Sequence, residues 1–161
     1  MSTLSESQIK EIREYWDNES SLNNAIIKLL PGDEQRKASE AAIDVLVLDG
    51  KVSEHEVEEW KQHKYAARWG GEHANLWMRM LLDRSERVLE QWKDQIYDAV
   101  CVKFQYCKRR KDGAFQKEGL LLAIAVADSL LSASLMLPIP LTSVAVYIVK
   151  HHILDKWCRC G

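Results

Sequence analysis

At 161 residues the chain is long enough to bury one core, and a composition 47% hydrophobic and 29% charged excludes wholesale disorder and a multi-span membrane protein. Lys and Arg number 22 against 24 Asp and Glu, and the resulting formal charge of −2 argues against a dedicated nucleic-acid binder, whose affinity comes from a basic face neutralising phosphates. The amino-terminal run Met1-Ser-Thr-Leu-Ser-Glu-Ser-Gln has neither the basic stretch nor the apolar core of a secretory leader. A cytoplasmic protein is therefore expected, with Cys101, Cys107, Cys158 and Cys160 as free thiols.

Three Pro and seven Gly fall where periodic patterns stop, and they punctuate helices. Thr3 and Glu6 have capping-box spacing and introduce a first helix carrying Ile9, Ile12, Tyr15 and Trp16, which ends near Asp17-Asn18. A second starts around Ser20-Ser21, lines Leu22, Ala25, Ile26, Leu29 and Leu30 on one face, and stops at Pro31-Gly32. A third runs from Asp33 to Asp49-Gly50. Ser53 and Glu56 form a second capping box, with Glu54, Glu58 and Glu59 suited to the positive end of the dipole of a fourth helix ending at Gly70-Gly71.

From Ala74 to Lys111 there is neither Pro nor Gly, and Trp77, Leu81, Val88, Trp92, Ile96, Val100, Phe104 and Cys107 recur at helical steps. As one helix of about 38 residues it would span roughly 55 Å, so it either projects or kinks. From Gly119 to Val149 the only formal charge is Asp128. The pattern there is a helix over Gly119 to Leu137, a turn at Pro138-Ile139-Pro140, and a last helix from Leu141 to Trp157. The fold expected is all-α, an irregular bundle of about six helices with one long helix and an apolar C-terminal helical hairpin. Residues 1–112 read as an amphipathic region and 113–161 as the hairpin, packed together as a single domain.

Water solvates so apolar a run poorly, and function becomes a question of what covers it. Nineteen residues to Leu137 make a helix of about 28 Å, close to a bilayer core, but Asp128 near its middle costs roughly 2.5–3.5 kcal/mol there. Leu141 to Val149, about 14 Å, is too short for a second crossing. On a helical projection Ala125, Asp128, Ser129 and Ser132 share a small, polar stripe, suited to close helix approach, with a serine or threonine hydroxyl, Lys150, or a backbone N–H freed near the proline turn as donor to the carboxylate. The leading expectation is a non-enzymatic interaction or assembly protein whose hairpin packs with itself or with a protein partner, with Ala125, Asp128, Ser129, Ser132, Lys150 and Trp157 as candidate contacts. The alternative is a membrane-associating protein, with Leu122, Val126 and Leu130 facing lipid and the basic run Lys108, Arg109, Arg110 and Lys111 facing head groups.

Other constellations are weak. Cys158-Arg159-Cys160 with His151 and His152 is poorly spaced for metal, and Cys101 and Cys107, six apart, face different sides of an α-helix. Aligning Gly50 with the sixth position of a calcium loop leaves Asp49 as the lone ligand beside Val45 and Val47. The segment Ala41 to Trp60, a helix, an Asp-Gly turn and an acidic helix, resembles a short part of the tellurite-resistance TerB-like domains. That likeness rests on the Ser53 and Glu56 box and implies no function. No Gly-rich phosphate loop, His-Glu-x-x-His or Gly-x-Ser-x-Gly occurs, so no cofactor or metal is expected, and an enzyme, whose site the fold would have to assemble from distant residues, is the second alternative.

Overall fold

The computed structural model describes residues 4–48, 50, 53, 55, 58, 71–133 and 140–160. Most of the fourth helix expected from Ser53, with Gly70 at its end, and the Pro138-Ile139 turn lie outside them, while Gly71, expected as part of that stop, begins a helix. The described chain is all-α, with no strand, and it divides into two compact units, residues 1–26 with 89–161 and residues 27–88. That partition does not coincide with a 112/113 boundary.

The first unit begins with α1, Glu6–Asp17. Ser5, not Thr3, is its N-cap. The Ser5 hydroxyl accepts from Gln8 N–H at 3.1 Å and Gln8 Oε1 accepts from Ser5 N–H at 2.8 Å, a reciprocal capping box two residues downstream of the one expected. Asn18 ends α1, and its side chain accepts from Ser21 N–H at 3.1 Å to open α2, Glu19–Ile27.

The oily run supplies α8, Gly119–Ser132, and α9, Leu141–Lys150. Every residue from Thr142 to Val149 in α9 is buried, the mark of a helix surrounded by its own protein. α8 and α1 pack against it, as does α10, Ile153–Trp157. Thr142 donates to Glu11 Oε1 at 2.6 Å, and Lys150 Nζ donates to the Trp16 carbonyl at 2.6 Å, so both ends of α9 are tied to α1. Leu122, Val126 and Leu130, the side chains that a membrane reading turns toward lipid, are 7%, 0% and 0% exposed. Among the described residues no helix is long and apolar enough to cross a membrane. The single last helix expected to Trp157 is broken at His151-His152, where His152 takes φ +57°.

The segment expected as one long helix is also broken. After α4, Gly71–Leu89, come a 3-10 turn at Glu90–Trp92, the short α5 at Lys93–Ile96 and a π-helix at Tyr97–Lys103. Gln105 then takes φ +59° before α6, Tyr106–Arg109, and α7, Gly113–Lys117. Tertiary ties override the uninterrupted helical pattern. Cys101 is bonded to Cys158 and Cys107 to Cys160, which overturns the expectation of four free thiols. In a regular α-helix two cysteines six apart diverge, but the π-turns and the break at Gln105 deliver both to the segment after α10.

The second unit contains α3, Gly32–Leu48, and α4 up to Val88. Ile27, Leu30 and Leu81 form its buried cluster, with Met78, Leu82 and Val88 against it. Glu34 pairs with Arg84 at 3.2 Å and Lys37 at 3.4 Å.

Candidate functional site

α8 is two-sided. Its inner face buries Leu122, Ala123, Val126, Ala127 and Leu130. The residues left over at helical spacing, Ala125, Asp128 and Ser129, are half-buried, and Ser132 is exposed. These four line one open cleft of about 450 Å³, whose opposite wall carries Lys103, Phe104, Arg109 and Phe115.

The polar groups of this cleft are organised locally. Ser129 donates to the Ala125 carbonyl at 2.9 Å, leaving its oxygen able to accept. Asp128 and Ser132 are each engaged in a further interaction. Arg109 lies with its guanidinium carbon 5.0 Å from the Phe104 ring centroid, a cation held over an aromatic face. Lys103 pairs with Asp98 at 3.3 Å, both largely exposed, so that bond is a weak restraint. The cleft therefore presents both signs of charge, hydroxyls and two rings. Its lining has no His, Cys or Tyr among the described residues.

The other candidate contacts stand apart. Lys150, expected as a donor to Asp128, instead reaches the last turn of α1. It donates to the Trp16 carbonyl, pairs with Glu19 Oε2 at 3.1 Å and sits 5.5 Å from the Trp16 ring centroid. α1 has no basic residue in its own last turn, and Lys150 supplies the cation that its carbonyl end favours. Trp157 lines a different cleft, with Lys93, Asp94, Tyr97, Lys156 and Arg159. Of the basic run, Lys108 and Lys111 are exposed, Arg109 stacks on Phe104, and Arg110 is turned inward to Asp155 at 3.1 Å.

Sequence reasoning missed that Asp155 hub. Its carboxylate also meets His152 Nδ1 at 3.0 Å and the buried Tyr106 phenol, whose ionisation is pushed up by burial first and by Asp155 second. The i, i+3 spacing of His152 and Asp155 is a faint signal of one link; Tyr106 and Arg110 are brought in by the fold. Family models, curated proteins and solved structures give no match to this chain.

Proposed function

We propose that this protein is a non-enzymatic helical assembly protein, and that a second copy of the chain covers the outer face of α8. The observation that carries the reading is that α8 devotes one face to the core and leaves Ala125, Asp128, Ser129 and Ser132 along an open cleft bearing both charges. Small side chains let another helix approach closely. A surface holding Asp128 beside Lys103 and Arg109 can complement itself across a two-fold axis, each carboxylate meeting the other copy's cations. The hairpin's role is then to be the rigid core beneath that face.

Sedimentation across a wide concentration range tests this. The expected result is a reversible dimer, weakened about tenfold or more by Asp128→Lys and recovered when Asp128→Lys is mixed with Lys103→Glu/Arg109→Glu. A monomer at every concentration, or a dimer indifferent to these changes, contradicts it.

A further inference from the structure

The two disulfides build a second recess. Arg159, between bridged Cys158 and Cys160, is held at φ +56°, a left-handed conformation that a residue with a Cβ keeps only when its surroundings impose it. There Arg159 joins Lys156 and Trp157 opposite Lys93, Asp94 and Tyr97 around a cleft of about 340 Å³. That volume falls within the range, about 300–1,000 Å³, of small-molecule sites.

The charge balance is unusual for this chain. Three cations face one carboxylate in the recess, although the whole protein carries −2. Elsewhere in the same unit Arg110 pairs with Asp155, Lys150 with Glu19 and Lys103 with Asp98. Lys93, Lys156 and Arg159 make no ion pair among the described residues. Beside them stand two flat apolar surfaces, Tyr97, 43% exposed, and half-buried Trp157. Cations alone take any anion; cations with aromatic rings take an anion attached to a planar group. Asp94 adds an acceptor for a ring or sugar donor.

We propose that this cleft binds a nucleotide-type ligand, a planar ring joined to a phosphate, and that the Cys101–Cys158 bond holds the site together. The proposal is independent of self-association, because none of its residues lines the α8 cleft.

Calorimetry with AMP, and separately with adenosine and inorganic phosphate, tests it on the oxidised full chain. AMP is expected to bind about tenfold or more tightly than either fragment. Lys156→Ala and Arg159→Ala should each weaken AMP about fivefold or more, Tyr97→Ala should weaken AMP and not phosphate, and added salt should weaken binding. Lys111→Ala, an exposed cation outside the recess, should leave AMP affinity unchanged with the same circular dichroism. Reduction with dithiothreitol should abolish binding, because it releases the segment carrying Lys156, Trp157 and Arg159. No AMP binding overturns the proposal. So does phosphate binding equal to AMP, or AMP affinity insensitive to Lys156→Ala and Arg159→Ala.

Discussion

A methyl group at position 119 would meet the edge of Trp16, whose two nearest ring carbons lie 2.7 Å from where that Cβ would stand. Helix propensity favours Ala over Gly by about 1 kcal/mol, while overpacking costs about 1–3 kcal/mol, so the sign of the change decides which effect governs. Lys150 holds the Trp16 carbonyl and lies 5.5 Å from the ring centroid, so Gly119→Ala is expected to destabilise the protein, read as a lower urea midpoint; a raised midpoint would show that the ring moves aside freely. Tyr106 sets an alkaline limit in the same way. Its phenol is raised in the folded state, so the stability it contributes is fully present below the unfolded value of about 10 and is lost as pH rises from there toward the folded value. Urea midpoints of wild type should fall above about pH 10, and the fall should be smaller in Tyr106→Phe; parallel curves would remove Tyr106 from the alkaline transition. At this scale the small stripe of α8 was legible, because side-chain size and helical period need no partner to be read. The destination of Lys150 was not, because the α1 carbonyl it satisfies lies 134 positions away in sequence.

Elements differ in how far local pattern governs them. α9 is predominantly apolar and buried at every position from Thr142 to Val149, and such a helix is stable only when surrounded, which the oily run announced and α1, α8 and α10 fulfil. Ile148, fully buried at its centre, should cost about 2–5 kcal/mol on replacement by Ala, measured by chemical denaturation, and a cost under about 0.5 kcal/mol would mean that α9 is not a core helix. The region from Glu90 to Arg109 shows the opposite case. Its residues have the helical period and lack Gly and Pro, yet the left-handed turn falls on Gln105, a residue with no special claim to that conformation. Two overlapping capping boxes at the start of α1 posed a smaller ambiguity: Thr3 with Glu6 and Ser5 with Gln8 share the spacing, and the structure uses the second.

At the scale of the molecule the disulfides account for most of what the sequence concealed. Four cysteines admit three pairings, and the sequence alone reads as free thiols; only the folded path brings Cys101 to Cys158 and Cys107 to Cys160. Each closes a loop with a sequence separation above 50, so losing one should cost up to about 4 kcal/mol, with less for the second because the loops overlap. Alkylation without reductant should leave the mass unchanged, and reduction should lower the melting temperature; ready alkylation of native protein would contradict the pairing. The account rests on the oily carboxyl-terminal run being covered by the protein's own helices. Hydrogen exchange on the protein in detergent-free buffer, at a concentration where it is monomeric, tests that most directly. Amides of Val144 to Val149 should be among the slowest in the chain, with those of Lys108 to Asp112 fast. Exchange of the α9 amides at the rate of an open chain, with protection only after detergent or lipid is added, would contradict it.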